Sequence, residues 1–215
     1  MSGSVCNGGQ GGLCTNCDED FNSCQDNGQT RSVCCNNFSN MLEFSQSLVQ
    51  SLGDLPTKQD FSVVHFGTDV AVADTLENAN QARKTIKALK YTGGMTNLAG
   101  AIDACQSTLN FSPDDRKNLM LILTDGLPSV PEDDPGNAAI DAATNAMDKG
   151  TFIIPILLEA SSQNSPEADF LRDAISSDRN LFLADFDSLI GLKDTVFEQV
   201  TCQANDNTRP RPGKV

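Results

Sequence analysis

Hydrophobic residues along the chain alternate between stretches with helical spacing and short, nearly continuous runs. The helical spacing predicts helices over 38–52, 79–89, 98–109, 138–149 and 189–200. Another helix is predicted to begin at Ser165-Pro166-Glu167, because Ser is a favoured N-cap and Pro a favoured first helical residue. The short runs predict strands over 61–66, 70–73, 119–123, 152–158 and 181–183.

The order of these elements predicts the fold class. Strands that alternate with helices indicate an α/β domain with a doubly wound, mostly parallel, Rossmann-like sheet and helices on both faces. The run 119–123 is apolar at every position, which is typical of a strand buried between two helical layers. Pro155 removes a hydrogen-bond donor from the predicted strand 152–158, so we expect a bulge or a shortened strand there.

The first part of the chain has a different composition. Residues 6–31 are rich in Gly, Asn, Gln and Asp, and six of the chain's 8 cysteines lie within the first 35 residues: Cys6, Cys14, Cys17, Cys24, Cys34 and Cys35. Such a composition cannot build its own core, so we expect disulfides and an oxidising compartment. The Cys14–Cys17 spacing also fits zinc, but the absence of a second such pair and of a nearby His makes that alternative weaker.

Charge and hydropathy exclude several classes of partner. Lys plus Arg is 15 against 29 for Asp plus Glu, a net charge of -14, which repels nucleic acid and anionic membrane surfaces. No apolar run approaches the ~18 residues of a membrane span, and no signal-peptide pattern follows Met1. Because the cysteines point to secretion, we expect a signal peptide to be encoded upstream.

These features divide the chain into four parts. Residues 1–5 are a short loop, 6–31 a Cys-rich insertion, 32–202 the α/β domain and 203–215 a tail or linker with almost nothing apolar to bury.

Candidate chemistry lies where predicted strands end. Asp125 directly follows the strand 119–123, and Thr96 follows a Gly-rich turn and opens a helix. In doubly wound sheets, ligands bind at the carboxyl ends of the strands. Carboxylates and hydroxyls are the hard oxygen donors that Mg²⁺ or Mn²⁺ prefers. His65, the only histidine, lies in a predicted hairpin and is expected to be structural.

Three segments resemble one known metal-site motif: Met1-Ser2-Gly3-Ser4-Val5, Thr92-Gly93-Gly94-Met95-Thr96 and Leu123-Thr124-Asp125-Gly126. They are similar to the metal-ion-dependent adhesion site of von Willebrand factor type A domains, a family that includes integrin inserted domains and collagen-binding matrix proteins. The resemblance covers residues 1–5 and about 31–202, and it implies that residues 1–5 are the remnant of a first metal-site loop truncated within the motif. It implies that Ser2, Ser4, Thr96 and Asp125 bind the ion, with one position left for a carboxylate of the partner.

The chain departs from that family in two ways. The Cys-rich insertion lies between Ser4 and the first helix, where the family needs only a few residues. The family's first aspartate and the central first strand that carries it have no counterpart, so we expect two strands to lack a neighbour and the chain to be only marginally stable or unfolded. The resemblance also implies that Cys202 has lost its disulfide partner and that Cys105 is a buried free thiol.

The leading hypothesis is therefore an extracellular module, not an enzyme, that captures a protein or matrix ligand with an acidic group through Mg²⁺ or Mn²⁺. One alternative is a metal-dependent hydrolase or phosphoryl-transfer enzyme that uses Asp125. Against it, His65 stands alone and no nucleophile with a neighbouring base can be assembled. A second alternative is a structural matrix domain with an inactive site.

Overall fold

The computed structural model describes residues 16–17, 24–26, 29–31, 33–90, 94–110, 116–131, 133–158 and 164–205, and side chains only between 37 and 202. The helices are α1 (Val33–Gly53), α2 (Ala79–Ala88), α3 (Leu98–Leu109), α4 (Pro135–Asp148), α5 (Pro166–Phe170) and α6 (Lys193–Asn205). The strands are β1 (Asn16–Cys17), β2 (Cys24–Asp26), β3 (Gln29–Arg31), β4 (Phe61–Phe66), β5 (Val70–Glu77), β6 (Asn118–Thr124), β7 (Thr151–Leu158) and β8 (Phe182–Ala184). A π-helical turn, Leu171–Ile175, continues α5, and 3-10 turns cover Ser177–Arg179 and Leu189–Leu192.

The strands form a parallel sheet and two antiparallel groups. β6, β7 and β8 are parallel, β4 and β5 form a hairpin, and β1, β2 and β3 form a small antiparallel sheet. Within the described residues, no backbone ladder joins the hairpin to the parallel sheet. The α/β class with helices and a parallel sheet is confirmed.

Two apolar cores cover the two faces of the parallel sheet. Side chains of β7 alternate between them: Ile153 and Leu157 pack with α3 and α4, whereas Ile154, Ile156 and Leu158 pack with α1 and α6. All five are at most 1% exposed. The strands therefore have continuous apolar sequences, because both of their faces are buried.

Several predicted details are corrected by the structure. β7 keeps an unbroken register with β6 through Pro155, so the expected bulge is absent from this strand. β8 begins opposite Ile156, which leaves position 155 with a partner strand on one side only, where a missing donor costs least. The segment 6–31, predicted to be loop, contains β1, β2 and β3, and α6 extends to Asn205, beyond the end of the predicted last helix.

The structure does not support a disulfide-stapled insertion. Cys105 and Cys202, the cysteines whose side chains are described, are both free. Cys6 and Cys14 lie outside the described residues, and only the backbone is described at Cys17, Cys24, Cys34 and Cys35. Disulfide pairing within that segment therefore stays a prediction. Cys105 packs against the core on α3, and burial raises the pKa of its thiol to about 11.

Alkylation should distinguish the two free thiols. In the native protein at pH 8, iodoacetamide should modify Cys202, which is exposed, much faster than Cys105, because Cys105 is partly buried and its raised pKa keeps it protonated. The two cysteines lie on different tryptic peptides, so mass spectrometry measures the extent of alkylation at each cysteine separately. Denaturation before labelling is the control and should expose both. A disulfide found at Cys202, or rapid native labelling of Cys105, would contradict this arrangement.

Candidate functional site

Three loops meet beyond the carboxyl ends of β4 and β6. The first is the turn 67–69 between β4 and β5, the second is the segment 94–97 ahead of α3, and the third is 125–129 after β6. Hydrogen bonds described below join the second loop to each of the other two. This edge is where a parallel sheet places its ligands.

Gly94 allows the second loop to lie directly on the first. Its φ is +98°, a conformation that residues with a Cβ rarely adopt, and an added Cβ would lie 2.6 Å from Thr68 Oγ1. The next residue uses this close approach, because the Met95 N–H donates to Thr68 Oγ1 at 2.9 Å.

Asn97 connects the same loops while it caps α3. Its side-chain oxygen accepts a hydrogen bond from the Gly100 N–H at 3.0 Å, which satisfies one of the free donors of the first helical turn. Its backbone N–H donates to the Gly67 carbonyl at 3.0 Å, and its amide nitrogen donates to the Thr68 carbonyl at 3.2 Å. The start of α3 is therefore anchored to the end of β4.

Thr96 connects the second loop to the third. The Thr96 N–H donates to Ser129 Oγ at 2.9 Å, and the Ser129 N–H donates back to the Thr96 carbonyl at 2.9 Å. Thr96 is 3% exposed, so this pair of hydrogen bonds is largely shielded from water. Two reciprocal bonds fix both the distance and the orientation of the loops.

Asp125 begins the third loop directly after the buried end of β6. The preceding residue, Thr124, is 2% exposed, and its hydroxyl donates to the Gly126 carbonyl at 3.2 Å. That bond closes a tight turn at Asp125, which is partly buried. The structure thus brings Thr96 and Asp125, both predicted from sequence, onto loops that are hydrogen-bonded to each other.

The other predicted ligands are not described. Ser2 and Ser4 lie outside the described residues, as do Thr92 and Gly93 of the second motif. In the described part of the chain, no group of three or more His, Cys, Asp or Glu side chains could hold a metal ion. The hydroxyl of Thr96 and the carboxylate of Asp125 are hard oxygen donors that suit Mg²⁺ or Mn²⁺, but an octahedral ion needs more ligands than these two.

Sequence reasoning missed the residues that position the site. In the sequence, Thr68 looks like part of an ordinary turn. Ser129 has no local sequence pattern that predicts its role, because the bond between Ser129 and Thr96 joins positions 33 residues apart. Asn97 could have been recognised, since an Asn directly before an apolar helical run is a typical N-cap.

Replacing Gly94 should loosen the loops. Gly94→Ala is expected to lower the unfolding free energy by roughly 1–3 kcal/mol, because the new Cβ must adopt a strained φ and displace Thr68. Gly126→Ala is the matched control in the neighbouring loop, because a Cβ there meets nothing within 4 Å and should change stability by less than about 0.5 kcal/mol. Urea denaturation measures both variants, and equal stabilities would show that the contact at Gly94 does not constrain the loop.

Comparisons with known proteins agree with the observed fold. The von Willebrand factor type A domain model matches residues 29–195. A similar solved structure is the vWF domain of the type V pili tip protein Mfa5 from Porphyromonas gingivalis, with a TM-score of 0.67 and 12% identity over 82% of this chain and 92% of that one. None of the curated proteins matches the sequence.

Two further solved structures share the fold. Proximal thread matrix protein 1 of the mussel byssus has a TM-score of 0.61 and 20% identity, over 76% of this chain and 43% of that one. The pilus adhesin SpaC from Lactobacillus rhamnosus GG has a TM-score of 0.63 and 12% identity, over 79% of this chain and 28% of that one. Identities this low establish shared architecture only, but the family match covers most of the chain. The chain belongs to the von Willebrand factor type A domain family.

Proposed function

We propose that this domain is an extracellular adhesion module that captures a protein or matrix ligand through a divalent cation. The observation that carries the proposal is the reciprocal hydrogen bonding of Thr96 and Ser129, which holds the loop of Thr96 against the loop of Asp125. A hydroxyl and a carboxylate on facing loops are the beginning of an oxygen-ligand set at the edge where doubly wound sheets bind ligands.

Ser2, Ser4, Thr96 and Asp125 are the proposed ligands. When bound, the cation offers a coordination position to a carboxylate of the partner. All four ligands are oxygen donors, which favours Mg²⁺ or Mn²⁺ over zinc, since zinc more often takes nitrogen and sulfur ligands. The mussel byssus protein is described with zinc in its MIDAS motif, so zinc is the competitor to test.

Charge explains why capture would depend on the ion. The chain carries a net charge of -14, and Asp125 lies within the site, so an acidic partner is repelled by the protein alone. A divalent cation reverses the local charge and makes the carboxylate of the partner the favoured occupant. The same net charge disfavours nucleic acid as a partner.

Two exposed apolar side chains border the proposed ligands. Met95 precedes Thr96 and Leu127 follows Asp125 by two positions, and each is 40% exposed. Large apolar groups beside a polar centre are typical of the contact area of a binding surface. The proposed partner therefore presents its acidic group next to apolar surface.

The comparisons support an extracellular setting. The similar structures are described as a pili tip protein, a pilus adhesin and a byssal thread matrix protein. Among the helices of the described residues, none is long and apolar enough to cross a membrane.

A binding role is also favoured over a catalytic one. His65, the only histidine, lies on β4, and burial lowers its pKa. Its Nε2 atom is buried and has no hydrogen-bond partner among the described residues. A general base needs a neighbour to orient it, so this histidine is proposed to be structural.

Metal titration tests the proposal. Mn²⁺ binding, followed by the loss of the electron paramagnetic resonance signal of the free ion, should weaken at least about tenfold in Thr96→Ala and Asp125→Ala, because each variant removes a ligand oxygen. Asp69→Asn is the matched control, since it removes an exposed acid from the adjoining turn that is not a proposed ligand. Mg²⁺ and Zn²⁺ are then compared as competitors of Mn²⁺.

Binding of the protein to an immobilised extracellular-matrix extract, in Mg²⁺ or in EDTA, tests whether the cation mediates capture of the partner. Capture should require Mg²⁺ and should fail in Thr96→Ala and Asp125→Ala, while Asp69→Asn behaves as the parent. Circular dichroism first confirms that each variant is folded. Unchanged Mn²⁺ affinity in both ligand variants would refute the metal site, and capture that persists in EDTA would refute its role in adhesion.

A further inference from the structure

The helix α2 carries a basic surface on an acidic protein. Residues 78–102 contain no Asp or Glu, although the whole chain has 29 of these acids against 15 Lys and Arg. Four of the basic residues, Arg83, Lys84, Lys87 and Lys90, lie close together within this stretch. Positive charge is therefore concentrated on one element of a chain whose net charge is -14.

The lysines of this helix are directed toward solvent. α2 buries Ala82 and Ile86 in the domain, whereas Lys84, Lys87 and Lys90 are exposed. Lys84 and Lys87 are three positions apart, the spacing that makes side chains neighbours on a helix surface. Lys90 follows two residues after the helix ends. These three residues form one basic surface, called the α2 lysine surface below.

Acidic neighbours do not neutralise the α2 lysine surface. Among the described residues, none of its three lysines forms an ion pair, whereas Lys58 is paired with Asp60 and Arg179 with Asp173. Asp74 of β5 is bonded to a threonine of α2 and not to a lysine. The three ammonium groups are therefore available to an anion from outside the domain.

Helix stability does not account for this group of lysines. A positive charge in the last turn interacts favourably with the end of a helix, and Lys87 lies there. Lys84 lies in the middle of α2, next to Lys87, and two like charges at this spacing repel each other. The contact of α2 with α1 uses Arg83, which donates to Gln50, and none of the lysines. A bound anion would relieve the repulsion.

The α2 lysine surface lies near the candidate metal site. Lys90 and Gly94 are four positions apart, so their Cα atoms are separated by at most about 15 Å, at about 3.8 Å per residue. Gly94 begins the loop that carries Thr96, and Met95 and Leu127 beside the site are each 40% exposed. An extended peptide of about five residues spans this distance, at about 3.3 Å per residue.

We propose that the α2 lysine surface binds an acidic segment of a protein partner, in which several Asp or Glu residues lie next to apolar side chains. The lysines provide charge complementarity, and Met95 and Leu127 favour a protein over a sulfated polysaccharide, which has no apolar side chains to bury. A long polyanion would also extend past the three lysines onto the acidic remainder of the domain.

The contact with the lysines does not need a cation. Donation of a carboxylate from the same segment to a bound ion rests on the proposed function, so the two contacts are tested separately.

Peptide binding in EDTA tests the lysine contact. The probe is a peptide of four consecutive glutamates followed by a leucine and a phenylalanine, labelled with fluorescein and followed by fluorescence polarisation. Salt is kept at about 0.1 M, where a screening length of about 10 Å preserves the attraction of nearby lysines and reduces the repulsion by distant acids. The combined variant Lys84→Gln, Lys87→Gln and Lys90→Gln should bind at least about fivefold more weakly. Gln forms helices about as well as Lys, so the fold should be retained.

The matched control combines Lys58→Gln, Lys149→Gln and Arg179→Gln. It changes the net charge by the same amount, at exposed basic residues that each lie beside an acid. The control variant should therefore bind the peptide as the unmodified chain does. A peptide with glutamine in place of every glutamate should bind the lysine variant and the unmodified chain equally weakly, because it has no charge for the lysines to attract.

Cross-linking locates the contact without any substitution. A carbodiimide joins a glutamate carboxylate of the N-acetylated peptide to a lysine amine as an amide, with loss of water. Mass spectrometry of the unmodified chain should find the peptide on Lys84, Lys87 and Lys90 at least about fivefold more often than on Lys58 and Lys149, which serve as exposed reference lysines.

Addition of Mg²⁺ separates this inference from the proposed function. Mg²⁺ should tighten peptide binding to the unmodified chain and to the lysine variant but not to Asp125→Ala, because only the first two retain the proposed ligand. Equal binding with and without Mg²⁺ would contradict the shared ligand, while a loss of binding in the lysine variant would still support the α2 lysine surface.

Four outcomes would overturn the α2 lysine surface. They are no saturable binding of the peptide to the unmodified chain, equal affinities of the lysine and control variants, and cross-links spread evenly over all exposed lysines. The fourth is binding of heparin, in place of the peptide, that the lysine variant loses, which would assign the surface to a sulfated polysaccharide.

Discussion

The hydrogen bonds around Thr96 are the constraint on which the rest of this structure depends. The hairpin and the parallel sheet share no backbone ladder in the described residues, so loop contacts and side-chain packing must fix their relative positions. Thr96 is bonded to the loop after β6 through Ser129, and its neighbour Asn97 is bonded to the end of β4 through Gly67. Two successive residues thus join the two parts of the domain at the edge where ligands would bind.

Burial of the parallel strands makes this connection possible. The β7 side chains Ile153, Ile154 and Ile156 are completely buried, and each contributes about 1.5–3 kcal/mol relative to exposure. Small residues of α4, including Ala139 and Ala143 at 0% exposure, let that helix lie close to the sheet. The parallel sheet is therefore a rigid support, and it fixes the positions at which the loops leave its carboxyl edge.

Local patterns in the sequence predicted most elements of the fold and both of the described candidate ligands, Thr96 and Asp125. The continuous apolar run ahead of Thr124 identified β6, and Asp125 is a candidate ligand because it directly follows that strand. Ser129 and Thr68 could not be found in this way, because their roles come from contacts between segments distant in the chain. The unbroken register at Pro155 was also unpredictable, since it depends on where β8 begins, which tertiary packing decides. Local sequence patterns thus predicted the helices and strands, whereas the contacts that connect these elements depend on residues distant in the chain.

The geometry of the candidate metal site depends on the separation of two strands, β4 and β6. The loop of Asp125 leaves β6, and the loop of Thr96 is anchored on the end of β4, so the separation of β4 from β6 sets the separation of the two ligand loops. Within the described residues, hydrogen bonds between the loops, and no ladder between the strands, limit the range of that separation. Pre-ordering of ligands lowers the entropy lost on binding, so these loop hydrogen bonds are expected to raise the affinity of the candidate site for an ion. By thermodynamic reciprocity, an ion that bridges the two loops must favour their hydrogen-bonded arrangement by the same factor.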